Sequence, residues 1–202
     1  MRIFTDVCFS FFFTGDMKTD LADMMTTTEN QVILVDGSDN ALAAMPKLKA
    51  HEEGALHRAV SVIIMNSRNE MLLQQRAYTK YHSSGLWSNT ACSHPCPGES
   101  AHRAATRRLQ EEMGITCRLK KVFDFTYRAQ FANGLTEHEF DHVFFGRYDG
   151  DPMINPVEVH DFKWMPVQDI LNGLRANPQT YTVWFRIMME QIANRPELFS
   201  GR

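Results

Sequence analysis

The 202-residue sequence predicts a mixed α/β (α+β) fold, and three observations predict it. Short apolar runs with strand character recur between Gln31 and Trp164, most of them closed by clusters of Gly, Asn, Asp or Pro. One stretch, 100–113, carries Ala101, Ala104, Ala105, Leu109 and Met113 at helical spacings. Two more stretches, 167–172 and 179–194, are helix-like, with Leu174, Trp184, Ile187, Met188 and Ile192 supplying an apolar stripe. Strands and helices therefore share one chain, and no internal repeat divides it.

Taken in order, residues 31–35 (QVILV) predict a strand closed by Asp36-Gly37-Ser38-Asp39-Asn40, after which a polar stretch leads to His51 and His57. Residues 59–65 (AVSVIIM) and 71–75 (MLLQQ), joined by Asn66-Ser67-Arg68-Asn69-Glu70, predict a hairpin of buried strands. A further strand is expected over 87–92. Pro95, Pro97 and Gly98 then break the chain ahead of the 100–113 helix, which Gly114 stops. Residues 122–130 and 139–148 predict a second hairpin around Asn133-Gly134, and 162–164 a short strand.

Composition narrows the function. With 44% hydrophobic residues the chain fills the core of one domain. A net charge of −3, from 21 basic and 24 acidic residues, leaves no electrostatic footprint for nucleic acid or an anionic membrane. An anionic ligand must be gripped by a local basic cluster. Cys8, Cys92, Cys96 and Cys117 lack both disulfide density and paired metal-site spacing, so a reducing cytoplasm is expected. The apolar run 7–13 is too short to span a bilayer, and only Arg2 precedes it, so it is not read as a signal peptide. Residues 1–28 show no periodicity and are expected to form a flexible tail ahead of a single domain over 29–202.

The chemistry concentrates around the 100–113 helix. Gly98-Glu99-Ser100-Ala101-His102-Arg103-Ala104-Ala105-Thr106-Arg107-Arg108-Leu109-Gln110-Glu111-Glu112-Met113-Gly114-Ile115 resembles the Nudix box, a loop and helix whose glutamates hold magnesium against a diphosphate. Glu99, Arg107, Leu109, Glu111, Glu112, Gly114 and Ile115 match that motif. Ser93 stands in place of its opening glycine, and Arg108 in place of the glutamate of its Arg-Glu pair. Positions 108, 111 and 112 share one helix face, so a platform of three carboxylates becomes two carboxylates beside a cation. Such a face suits gripping a phosphate better than hydrolysing it.

Immediately upstream, Asn89-Thr90-Ala91-Cys92-Ser93-His94-Pro95 resembles the N-x-x-C-x-H-P segment of the type I isopentenyl diphosphate isomerases, a Nudix-fold branch. His51 and His57, then Arg76, Lys80 and Gly85-Leu86-Trp87, then Tyr127 and Glu137-His138-Glu139 follow in that family's order. A single histidine is more often a satisfied core residue, and a Glu-x-Glu on a strand is more often a solvated face. The ordered combination carries the resemblance.

That resemblance implies a Nudix-like mixed sheet sandwiched by helices. It implies that isopentenyl and dimethylallyl diphosphate are interconverted through a tertiary carbocation, as a step of isoprenoid biosynthesis. It further implies that His51, His57, His94, Glu137 and Glu139 ligate one divalent ion, manganese, magnesium or zinc, and that Glu112 shares a magnesium ion with the diphosphate. Glu139, assisted by Tyr127, would deliver a proton to the terminal methylene, and Cys92 as thiolate would remove the other. Arg76, Lys80, Arg108 and Lys47 would surround the diphosphate, and Trp184 would face the cation. The partner is a small diphosphate, with a monomer or homodimer expected.

Spacing adds two constraints of its own. Glu137 and Glu139, two apart on a strand, point the same way, whereas His138 points to the opposite face. His51 and His57 need a bend between them, which Gly54 can supply. His82, His102, His142 and His160 are expected to be surface or satisfied core residues. Two rival readings are a Nudix hydrolase acting on a nucleoside diphosphate derivative and a catalytically dead relative that only binds.

Overall fold

A computed structural model describes residues 30–195. The expected tail over 1–28, and Cys8 with it, lies outside the described residues. Nine strands form one mixed sheet: β1 (Gln31–Val35), β2 (Ala41–Pro46), β3 (His57–Met65), β4 (Glu70–Arg76), β5 (Trp87–Ser88), β6 (Ala91–Ser93), β7 (Lys120–Gln130), β8 (Thr136–Arg147) and β9 (Val159–Pro166). Four α-helices accompany it: α1 (Lys47–Glu53), α2 (Ala101–Met113), α3 (Val167–Ala176) and α4 (Val183–Ala193).

The sheet is organised around β3. Its sequence, HRAVSVIIM, is apolar along nearly its whole length because both of its faces are covered. Val60, Val62 and Ile64 pack into one core with Ala104, Ala105, Leu109 and Met113 of α2. Ile63 and Met65 pack into a second core with Trp184, Phe185, Met188 and Ile192 of α4. The sheet is thus sandwiched by helices, as expected.

On one edge β3 runs parallel to β8, with His57 opposite Glu139 and Met65 opposite Arg147. On the other edge β6 runs antiparallel to it, with Ser61 opposite Cys92. Strands β7 and β8 form the expected second hairpin, placing Tyr127 directly across from Glu139.

Helix α2 shows why its boundaries were readable. The Ser100 side chain accepts from the Arg103 amide at the N-cap, and Gly114, at φ 66°, closes the C-terminus. A β-carbon at Gly114 would come within 2.8 Å of the Met153 carbonyl oxygen, so both conformation and space require glycine.

Several expectations are corrected. The polar stretch before His51 contains β2 and α1. The 59–65 and 71–75 strands do not form a long hairpin: β3 and β4 pair only at Met65 and Met71, and β4 takes β9 along its length instead. The single strand expected over 87–92 is two short strands, because Asn89 and Thr90 turn inward, where Thr90 Oγ1 donates to the Leu72 carbonyl at 2.7 Å and Asn89 to the Ala91 carbonyl at 2.7 Å.

Candidate active site

The site is assembled on the α4 side of the sheet by the strands flanking β3. Side chains alternate along a strand, so His57, Ser61 and Ile63 of β3 share a face with their register partners Glu139 and Val143 of β8 and Cys92 of β6. Cys92 and Glu139 therefore stand on opposite flanks of β3 and face the same space. They line one narrow cavity of about 40 Å³ together with Lys47, Arg76, His94 and Trp184. Lys47 and His94 also border a wider cleft of about 380 Å³, whose other walls include Arg107, Arg108 and Glu111.

His51, His57, His94, Glu137 and Glu139 each bring one ligand atom to within 4.8 Å of all the others. Local structure explains the convergence. His51 sits in the last turn of α1, Gly54 ends that helix at φ 62°, and the chain reverses to enter β3 at His57. A β-carbon at Gly54 would lie 3.3 Å from Thr136, so the bend is also tightly packed. His138 points away, its Nδ1 2.9 Å from the Gly54 carbonyl.

The cluster has the chemistry of a divalent-cation site. His57 Nδ1 donates to the Ala55 carbonyl at 2.8 Å, which leaves Nε2 for the cluster, 3.2 Å from His94 Nε2. His94 Nε2 is in turn 2.9 Å from Glu139 Oε1. Buried His51 Nε2 and Glu137 Oε2 have no hydrogen-bond partner, although only 3.7 Å separates them. Orphaned buried polar atoms are costly, and a cation between them removes the cost.

Burial pushes His51 down to about 3 and His94 well below the usual imidazole range, so both are neutral and fit to ligate. His57 runs the other way. Burial lowers it, but the hydrogen bond and charge of Glu139 outweigh burial and raise it above the ordinary imidazole value.

Glu139 is the hinge between this cluster and the cavity. Tyr127 Oη donates to Glu139 Oε2 at 2.7 Å. Burial by itself would raise the Glu139 carboxyl, but hydrogen bonds from His57 and Tyr127 hold it below the ordinary carboxylate range. Burial pushes the Cys92 thiol up to about 12. Burial thus favours the protonated form of the thiol, and hydrogen bonding favours the ionised form of the carboxylate.

The basic residues divide. Arg76 lines the cavity, its guanidinium 5.1 Å over the Trp184 ring and its Nε without a partner. Lys47 lines both cavity and cleft, and burial lowers its amine. Arg108 faces the cleft from α2 but is engaged by Glu111 at 2.9 Å, Glu112 at 2.9 Å and Glu158 at 3.0 Å. Lys80 does not reach either lining; Glu158 holds it at 2.6 Å. Glu112 is buried outside the five-ligand cluster and accepts from Gln74 at 2.6 Å. Trp184 is anchored by donating to Ser88 Oγ at 2.9 Å, which fixes its ring against the cavity.

Four participants escaped sequence reasoning: His82, Asp141, Tyr81 and Glu158. Asp141 is buried, accepts from Ser61 Oγ at 2.7 Å, and has its carboxyl raised well above the ordinary range by burial and the nearby charge of Glu139. Its one available signal was its place two residues beyond Glu139 on the same strand face. Tyr81 Oη lies 3.1 Å from His51 Nδ1. Of the four histidines expected to be surface or satisfied core residues, His102 contacts a backbone carbonyl and His160 a tyrosine ring, whereas His142 is buried with neither ring nitrogen hydrogen-bonded, its Nε2 3.0 Å from Asp39; all three lie away from the cavity. His82 instead lines the cavity.

The fold defines the class. A family model described as NUDIX domain matches residues 55–185, and the crystal structure of DR0079 from Deinococcus radiodurans superposes with a TM-score of 0.68 at 17% identity, over 80% of this chain and 98% of that one. Among curated relatives, an isopentenyl-diphosphate Delta-isomerase 2 of Aromatoleum aromaticum is 51% identical over 81% of this chain and 87% of its own length. An isopentenyl-diphosphate Delta-isomerase of Pectobacterium atrosepticum is 48% identical over 85% of this chain and 96% of its own length. The chain belongs to the isopentenyl-diphosphate Delta-isomerase family, on the Nudix fold.

Proposed function

We propose that this chain interconverts isopentenyl and dimethylallyl diphosphate, with Cys92 and Glu139 as the two proton carriers. The observation that supports it is their common cavity: a thiol on one flank of β3, a Tyr127-bonded carboxylate on the other, and Trp184 between the walls and Arg76. The cavity is narrow and opens beside the wider cleft that shares Lys47 and His94. The engagement of Arg108 with both Glu111 and Glu112 weighs against a nucleotide hydrolase.

In one direction, the Cys92 thiol gives its proton to the terminal methylene, leaving a tertiary cation. The Glu139 carboxylate removes a proton from the carbon on the other side of the cationic centre, and the new double bond forms. The enzyme is left with a thiolate and a carboxylic acid, and the reverse reaction runs the two roles backwards. The family resemblance implies the opposite assignment, with Glu139 and Tyr127 as the donor and the Cys92 thiolate as the base. Tyr127 holds the carboxylate in place through its 2.7 Å hydrogen bond. The Trp184 face, turned to the cavity, would stabilise the cation.

His51, His57, His94, Glu137 and Glu139 would hold one divalent ion, manganese, magnesium or zinc, whose charge would fix the Glu139 carboxylate and lower its affinity for protons. Lys47, Arg76 and Arg108 would meet the diphosphate at the cleft, with Lys80 held behind them by Glu158 and Glu112 the carboxylate beside a diphosphate-bound magnesium.

The test is a product assay. Purified protein with isopentenyl diphosphate and magnesium or manganese should yield dimethylallyl diphosphate, with no phosphate released from a panel of nucleoside diphosphate derivatives. Phosphate release without isomerisation would overturn the reading in favour of a hydrolase.

A further inference from the structure

His82 lies on the loop between β4 and β5, buried to 9% exposure, with the plane of its ring set by aromatic neighbours. It stacks on Phe131 with centroids 4.9 Å apart and planes 19° from parallel, and it meets Trp184 edge-on at 5.9 Å and 89°. In this packing Nε2 lies 3.0 Å from Glu137 Oε1. A carboxylate only accepts, so the nitrogen facing it is the one that carries hydrogen, and Nδ1 is left toward the Ser83 hydroxyl at 3.4 Å.

The two oxygens of Glu137 are consequently unlike. One is engaged by His82, and the other is buried without a partner, 3.7 Å from His51 Nε2, which is also buried without one. An unheld glutamate would rotate about its last torsion and exchange its oxygens. We propose that His82 is a positioning residue of the metal site: its Nε2–H holds Oε1 of Glu137, so that Oε2 and His51 Nε2 are presented together to a divalent cation. The inference rests on the five-residue cluster being a cation site, and it adds to that cluster a residue outside the expected ligand set.

The experiment measures metal affinity directly, without substrate, by titrating the full-length protein with Mn2+ and counting free ion by electron paramagnetic resonance. His82→Phe keeps the stack on Phe131 and removes the donor, and it should weaken Mn2+ binding by about 10- to 100-fold. His82→Gln restores an N–H near Glu137 and should recover part of that loss. Phe131→Leu, which loosens the stack but leaves Nε2, should lower the melting temperature while keeping Mn2+ affinity within about threefold of the parent. Should His82→Phe not fold, His82→Leu takes its place against His82→Gln. Binding by the donor-less variant within about twofold of the parent, or a glutamine variant no tighter than it, overturns the proposal. A parent that binds no Mn2+ overturns the site itself, so the two failures are told apart.

Discussion

Cys92 and Glu139 owe their chemistry to where the backbone leaves them. Burial pushes the thiol up to about 12, and donated hydrogen bonds favour the ionised carboxylate. Cys92→Ala removes one carrier from a partly buried position with no hydrogen bond to lose. It should cut turnover by about 10²- to 10⁴-fold or more while the melting temperature stays close to the parent's. Activity within about tenfold of the parent would take Cys92 out of the reaction. For Trp184→Leu the expected loss in turnover is about 30-fold, the equivalent of a desolvated cation–π contact of about 2 kcal/mol. An unchanged kcat would leave the indole as packing only.

Glu99 gives a pH prediction at the same scale. Two Arg107 nitrogens meet its carboxylate at 2.9 and 2.8 Å, and that hydrogen bonding, ahead of burial, which opposes it, holds the Glu99 carboxyl below its ordinary value. A depressed carboxyl stabilises the fold at pH above its unfolded value, near 4.5, and the contribution is lost as pH falls through the lower folded value. Glu99→Gln should therefore be less stable than the parent at neutral pH, and the gap should close in acid. Denaturant unfolding at stepped pH measures it, and a gap that is constant with pH would contradict the assignment.

Among the elements, α2 depends most visibly on its own residues. Leu109 is fully buried between α2 and the sheet, so Leu109→Ala should cost about 2–5 kcal/mol, read from urea unfolding. Helix α2, the β7–β8 hairpin and the pairing of Glu137 with Glu139 were legible because local signals determine them: an N-cap serine, a C-terminal glycine, period-two alternation. Strand β2 was not, since its residues 41–44 are all exposed and carry no alternation. Helix α1 has seven residues and no capping side chain, so nothing in its sequence marks its start. His82, Tyr81 and Glu158 were hidden for another reason. Each acts from a loop whose course is set by tertiary packing, and no spacing rule connects it to Glu137, His51 or Arg108. The resemblance supplied the candidate ligands, and the groups that contact them came only with the fold.

At the scale of the whole molecule, one doubly covered strand carries the design. Because β3 is buried on both faces, its flanking strands are held in register, and the register sets the thiol and the carboxylate across a shared cavity. The long, apolar helices needed to cross a membrane are absent among the described residues, and the basic side chains of the site gather at one cleft. The most direct test is a crystal structure of Cys92→Ser with isopentenyl diphosphate and Mn2+. The account predicts the five-carbon chain lying between the side chain at position 92 and Glu139, with the metal among the three histidines and two glutamates and the diphosphate toward Lys47 and Arg108. A chain bound outside that cavity, or lying with both groups on the same side of it, would contradict the account.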